Sequence, residues 1–565
     1  MIESSYRERQ RMGCSGMSLG LRVGLVGAAV AAGLLGQSPG TRPTPRPQAQ
    51  TQPAKAASKK PLPTPATVAE RSGYKKTSLY ADVMAFLDEL GRTRGVPIHR
   101  AILGKTSEGK DIPIVFVGAD GATVAREAKE PATDQIRVLI NADIHAGEVE
   151  GKEAALMLLR ELHQGRHAML LQHLRIMVVP IFNADGNDKI SKQHRVSQNG
   201  PDGGVGTRQQ AEGYDLNRDF VKLDTPECRA LVKAFQDYDP QVFVDLHTTN
   251  GSYHGYHLTY SPSLATNVAP EIREFVRDSF LPELRSSMTG EYGFRTFDYG
   301  NFKRGPARGW ITYDHRPRFG TNYFGLRNRI AVLSETYSYL PFEQRVKVTR
   351  GFALQVLYLT ARTFNMIRDL CAEADTTAVE HPPAFGYASV LEDPHEDEVL
   401  VGSVSEQKIE GLGTRRIASS ESHATKMPVQ VAFVAKEFVA APRAWVIVKP
   451  SDAVVARLRM HGIRFKTLTA PTEVSCQVFH GTVKRSARPF QKHHEVTLEG
   501  AWKPAKRTLP AGAIWVPAKQ RLARLAAQLL EAQSEDSLST WNFFDDAYDA
   551  GKKETEYPVL RVVGH

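Results

Sequence analysis

Four short runs of nearly unbroken apolar residues frame the chain: Ile136–Asn141 (IRVLIN), Leu174–Phe182 (LRIMVVPIF), Gln241–Leu246 (QVFVDL) and Arg329–Leu333 (RIAVL). Between the first two lies Glu150–Leu162, apolar at helical spacing through Ala154, Ala155, Leu158, Leu159 and Leu162. Short β-rich runs without polar alternation predict strands covered on both faces, and intervening helices predict that these strands run parallel. Val346–Arg362 reads as a closing helix. The expected fold between Tyr74 and about Leu370 is therefore α/β, a mixed, mostly parallel sheet with helices on both faces. The character changes beyond Glu373, and His381-Pro382-Pro383 marks a boundary. Strand candidates at Ala444–Val448 and Glu495–Leu498, with helical stretches at Asp452–His461 and Gln520–Gln533, predict a separate C-terminal α+β domain over 384–565.

Charge narrows the possible partners once it is located. The net charge is +10, but residues 1–71 hold ten Lys/Arg against three acids and so account for +7 of it. The remaining 494 residues are left with about +3, no footprint for a nucleic acid. Arg7, Arg9 and Arg11 precede the apolar run Val23–Leu35, and 39–67 is rich in Pro, Ala, Gln and Lys. Thirteen apolar residues fall short of the roughly 20 needed to span a bilayer. The order reads as an export signal over 1–38 and an extended linker over 39–73, so that the protein is expected to be secreted or periplasmic. An uncleaved N-terminal anchor is the alternative, and the only route by which a membrane would be a partner. Four cysteines (Cys14, Cys228, Cys371, Cys476) are too few for a disulfide scaffold. A Cys228–Cys371 bridge and buried free thiols are both open.

Polar groups cluster where the apolar runs end, the edge at which open α/β sheets bind ligands. His145-Ala146-Gly147-Glu148 follows the first run, and His247 follows the third in FVDLHTTN. Together His145, Glu148 and His247 make a two-histidine, one-carboxylate set, which leaves a position open as a catalytic zinc site requires. Glu335, in IAVLSETYSY, is a carboxylate costly to bury without a task or a partner such as Arg329 or Arg345. Asn217 and Arg218, in YDLNRD, form a pair able to grip a carboxylate. His254 and His257, and His163 and His167, are further histidine pairs, read as ordinary polar structure and as a solvated helix face.

HAGE, NADGND (Asn183–Asp188), DLNRDF, DLH and SET, in this order over about residues 74–370, resemble the zinc metallocarboxypeptidases of the carboxypeptidase A type. The resemblance implies a catalytic domain over 74–372 with one zinc per chain on His145, Glu148 and His247. It implies Glu335 as the catalytic glutamate and Asn217 and Arg218 as the grip on the substrate's terminal carboxylate. Asp215 then corresponds to the carboxylate that orients the first zinc histidine. Arg195, with Arg208 as alternative, corresponds to the oxyanion arginine, and Tyr313, with Tyr323 as fallback, to the family's mobile tyrosine. The implied partner is a peptide with a free C-terminal carboxylate. A non-peptide N-acyl amide and a binding protein on the same fold are the competing readings. The chain departs from the family at Gly147, where many members carry a basic residue, and at Thr248-Thr249-Asn250 after the second histidine.

Overall fold

The computed structural model describes residues 64–129, 134–249, 251–303, 308–548 and 554–563. The expected export signal, the linker up to residue 63 and Asn250 lie outside the described residues. Among the described residues, no helix is long and apolar enough to cross a membrane.

The first part of the chain builds an eight-stranded sheet. Its strands are β1 (Ile98–Lys105), β2 (Asp111–Val117), β3 (Ile136–Ala142), β4 (Leu174–Val179), β5 (Val242–Thr249), β6 (Leu258–Pro262), β7 (Thr296–Asp298) and β8 (Ile330–Tyr337). Their order across the sheet is β1-β2-β4-β3-β5-β8-β6-β7. The central strands β4, β3, β5 and β8 run parallel. The β1–β2, β2–β4 and β8–β6 pairs are antiparallel. The lack of polar alternation has its cause in burial on both faces: Val138, Ile140, Val242 and Val244 enter one apolar cluster, Leu139 and Phe243 the other.

Two strands run further than their apolar composition predicts, and one stops sooner. β4 ends at Val179 because Pro180 has no N–H to donate. β5 continues to Thr249 and β8 to Tyr337, so His247 and Glu335 stand inside strands rather than after them. Pairing overrides composition here. Glu335 lies beside His247 in the parallel register, and β6 pairs with β8 from the other side over Val332–Thr336.

Helices cover both faces. On one side lie α1 (Tyr80–Arg92), α2 (Glu150–His163), α4 (Leu281–Tyr292) and α5 (Phe342–Arg362), burying Phe86, Leu158, Leu284 and Phe352. On the other lies α3 (Pro226–Tyr238), which buries Leu231 and Phe235. Thr225 caps α3 by accepting from the Cys228 amide, and Pro226 occupies the first turn, where no N–H is needed. A helix without a counterpart in the sequence reading, α6 (Phe364–Glu380), runs on past residue 372.

The C-terminal domain is β-rich. A long hairpin, β9 (His395–Ile409) and β10 (Gly413–Gln430), pairs at its end with Trp310–Ile311 of the first part. A separate antiparallel sheet follows, built on β11 (Ala444–Ile447), β12 (Thr472–Arg485), β13 (Val496–Leu509), β14 (Ile514–Pro517) and β15 (Val559–Val562). Helices α7 (Asp452–His461) and α8 (Ala523–Leu530) accompany it, the second shorter than its apolar pattern. This domain packs on the first through a common core in which Trp445, Leu525 and Leu529 join Phe116, Phe235 and Phe243. Cys228, Cys371 and Cys476 are buried and free, so no Cys228–Cys371 bridge forms.

Candidate metal centre and its surroundings

The chain rises from β3 through Asp143, whose φ is 67°, and delivers His145 and Glu148 to the mouth of the sheet before α2 begins. β5 presents His247 alongside. One ligand atom from each of these three residues lies within 4.8 Å of the others, and all three side chains are buried. Glu148 Oε1 stands 3.0 Å from His145 Nδ1, and Oε2 stands 3.1 Å from His247 Nδ1. The Nε2 atoms face away and meet carboxylates: His145 Nε2 lies 3.1 Å from Asp215, and His247 Nε2 lies 3.0 Å from Asp245. Backed in this way, both rings turn Nδ1 toward one point shared with Glu148. That donor set, two imidazole nitrogens and a carboxylate with the outer nitrogens anchored, fits a divalent metal.

Asp245 was not singled out in the sequence, although its spacing was informative, since residues two apart in a strand share a face. Asp245 is fully buried and also accepts from Asn141 Nδ2 at 3.0 Å, across the β3–β5 pair. Burial alone would raise the Glu148 pKa, but the charges of His145 and Arg195 and the imidazole hydrogen bonds hold it well below the usual carboxylate range. His247 shows the opposite balance. Burial lowers it, and the adjacent Asp245 and Glu148 carry it well above the ordinary histidine value.

Two guanidinium groups reach the same carboxylate. Arg195 Nη2 donates to Glu148 Oε1 at 2.7 Å, while Arg208 Nη1 lies 3.7 Å from it and Arg208 Nε donates to Asp215 at 2.9 Å. The structure thus brings both candidate oxyanion arginines to the site. Gly147 lies against Arg195: a Cβ there would stand 2.6 Å from Arg195 Nε and 3.0 Å from the Gly206 carbonyl oxygen. Arg195 takes up the space that a side chain would need.

Glu335 faces the same cavity without an ion-pair partner of the kind sequence reasoning had offered. Arg329 pairs with Asp239 and Asp375, and Arg345 with Glu150. Among the described residues, Glu335 Oε2 has no hydrogen-bond partner. Burial, aided by the charge of Glu148 and opposed by His247 and the arginines, pushes its pKa up to about 8.

The cavity has a volume of about 210 Å³, and Asn217, Arg218, Tyr313, Tyr299 and Phe319 complete its wall. Asn217 Oδ1 accepts from the Gly320 amide at 2.8 Å, and Arg218 lies 3.9 Å over the Phe319 ring. Tyr313 packs edge-on against Tyr299 and Phe319. Tyr299 carried no sequence signal, being one tyrosine in an irregular segment. Tyr323 is not at the site: it is fully buried, with its hydroxyl 2.8 Å from His461 Nδ1. A larger groove of about 770 Å³, lined by His315, Arg316, Glu495 and Glu535 among others, lies outside this constellation and mixes both charges, with no metal-ligand trio among the described residues there.

The remaining histidine pairs are structural. His254 is buried against Tyr337, and burial lowers its pKa to about 3. His163 lies on no solvated face: it is buried, with Nδ1 2.7 Å from the Val96 carbonyl, because α2 packs that end against the chain entering β1. His167 meets the Tyr358 hydroxyl at 2.9 Å.

The family model described as zinc carboxypeptidase matches residues 83–276. Carboxypeptidase 2 of Trichophyton rubrum is 26% identical over 164 residues, covering 29% of this chain and 27% of that protein. Probable carboxypeptidase 2 of Arthroderma benhamiae is likewise 26% identical over 164 residues, with the same coverage of 29% and 27%. The match thus spans about a quarter of the length of these curated relatives. Among solved structures, a metallo-carboxypeptidase from Pseudomonas aeruginosa in complex with (2-guanidinoethylmercapto)succinic acid aligns with a TM-score of 0.37 and 15% identity, over 52% of this chain and 70% of that one.

Proposed function

We propose, from the match of residues 83–276 to the zinc carboxypeptidase family model, that the chain is an exported zinc-dependent carboxypeptidase that removes the C-terminal residue of peptides. One observation carries the exopeptidase reading. The Asn217–Arg218 pair stands in the wall of the same cavity as His145, Glu148, His247 and Glu335, so a substrate's terminal carboxylate and its scissile carbonyl fit one small space.

In this reading His145, Glu148 and His247 would hold one zinc ion, with Asp215 and Asp245 orienting the two imidazoles. Zinc held there supplies Lewis acidity for acyl hydrolysis at neutral pH. Glu335, which faces the same cavity with Oε2 unpaired among the described residues, takes a proton from the attacking water and returns it to the leaving amine. General acid–base transfer of this kind contributes roughly 10²–10⁴-fold. The Arg195 guanidinium, with Arg208 beside it, faces the oxygen on which negative charge develops, where fixed positive groups in a closed site act most strongly. Arg218 grips the terminal carboxylate, Asn217 adds an amide donor, and Tyr313 closes over the terminal residue. The 74–372 and 384–565 division is proposed as a catalytic and a C-terminal domain. Export is supported by the basic, apolar and Pro-rich order of residues 1–67.

The test is digestion of one peptide in free-acid and C-terminally amidated forms, followed by mass spectrometry. Loss of single residues from the free acid, with the amide largely resistant, is expected. Equal cleavage of both forms would move the assignment to an amidase or endopeptidase.

A further inference from the structure

The C-terminal domain lies outside the family match, yet it reaches the segment that supports the carboxylate grip. Arg318, Phe319 and Gly320 form a short stretch behind the cavity. Phe319 carries Arg218 on its ring face at 3.9 Å, and the Gly320 amide donates to Asn217 Oδ1 at 2.8 Å. Arg318, immediately before them, is 2% exposed and turns into the C-terminal domain. Its backbone amide donates to Asp536 Oδ2 at 2.7 Å, while Nε and Nη2 lie 3.2 Å and 3.0 Å from Asp536 Oδ1. Nη2 also donates to Glu495 at 2.7 Å. Asp536 is fully buried and is itself fixed by Trp541 Nε1 at 2.8 Å, and the Trp541 ring lies 4.6 Å from the Arg318 guanidinium. A second strut comes from the same domain: Gln491 Oε1 accepts from the Asp215 amide at 2.9 Å.

We propose that Asp536, with Glu495, is a positioning residue of the C-terminal domain that sets the geometry of the Asn217–Arg218 grip through Arg318, Phe319 and Gly320. The inference rests on the reading of that pair as the binder of the terminal carboxylate. Its physical basis is that one buried carboxylate holds Arg318 twice, the guanidinium Nε and Nη2 on Oδ1 and the backbone amide on Oδ2, through charge-assisted bonds that are short and strong. The loop adds bonds of its own, Asn322 Nδ2 to the Asp314 and Arg316 carbonyls, the Phe319 amide to the Arg316 carbonyl at 3.4 Å and the Tyr323 amide to the Phe319 carbonyl at 2.9 Å, while the Arg318 amide and guanidinium are held by the C-terminal domain. The C-terminal domain is then part of the substrate site and not an appended module.

The experiment compares Asp536→Asn, Glu495→Gln and Gln491→Ala in the full chain, using the paired free-acid and amidated peptides, with zinc content and near-UV circular dichroism as fold controls. Misplacement by about an ångström costs up to about 10²-fold. The free-acid KM is therefore expected to rise roughly tenfold to a hundredfold in Asp536→Asn and less in the other two. In Asp536→Asn and Glu495→Gln the expected kcat, zinc content and rate on the amide are those of wild type; Gln491→Ala, which frees the Asp215 amide behind His145, is the contrast and should weaken zinc binding as well. A structural defect would lower all rates together, so the KM–kcat split separates the two. If Asp536→Asn does not fold, Glu495→Gln carries the same test, since Glu495 also holds the Arg318 guanidinium. Folded Asp536→Asn or Glu495→Gln with unchanged free-acid KM, or with equal losses on both peptides, overturns the proposal. A wild-type enzyme blind to the terminal carboxylate would overturn the grip itself, and this inference with it.

Discussion

Replacing Asp245 by Asn isolates the metal-holding role of one buried carboxylate. Asp245 is fully buried, 3.0 Å from His247 Nε2 and 3.0 Å from Asn141 Nδ2, so the substitution keeps shape and a possible acceptor while removing the charge. Loss of such a partner behind a metal-bound histidine costs about 10- to 100-fold in metal affinity, or about 1.4–2.8 kcal/mol. The upper part of that range is expected, because no solvent reaches Asp245 to take over its role. Asp215→Asn makes the contrast. Asp215 also receives Arg208 at 2.9 Å and the Asn217 amide at 3.0 Å, so its loss should weaken both metal and substrate. The assay is competition for zinc against a chromophoric chelator at fixed pH, with KM measured on zinc-saturated protein. Wild-type zinc affinity in Asp245→Asn would refute the reasoning, as would an equal rise in KM for both variants.

Three further outcomes are expected. Glu335→Gln should retain zinc while kcat falls by about 10² or more, measured by metal analysis beside steady-state kinetics. Arg218→Ala should raise KM for free-acid peptides with little change for amides, read from the same paired substrates. Acid should destabilise the fold through His254 and His461, each held neutral with a pKa near 3 by burial. An unfolded histidine titrates near 6.5, so between about pH 6.5 and 3 the unfolded chain binds protons that the fold excludes. Stability therefore falls as pH drops through that window, by at most about 1.4 kcal/mol per group per unit. Urea unfolding at pH 7 and pH 5 should show this loss, and a smaller one in His461→Gln.

The sheet was legible because strands covered on both faces leave nearly unbroken apolar runs, as in Ile136–Asn141. Their ends were not, because His247 and Glu335 are polar residues kept in strands by neighbours on either side. His145, Glu148, His247, Glu335, Asn217 and Arg218 stand out by type and placement and Arg195 only through the family resemblance, and the structure brings all of them to one cavity. Asp245 carried a usable signal in its two-residue spacing from His247. Choosing between Tyr313 and Tyr323 needed the packing, since only the first faces the cavity. Asp536 carried no signal at all: it lies 218 residues from Arg318, and only the shared core brings them together.

Restoring activity to metal-free protein tests the central claim most directly. Chelator-treated enzyme should be inactive, and release of the C-terminal residue should rise linearly with added zinc to a plateau at about one equivalent per chain, as one site with three protein ligands and an open position requires. Full activity without zinc, or a plateau reached with His145 and His247 both replaced by Ala, would contradict it.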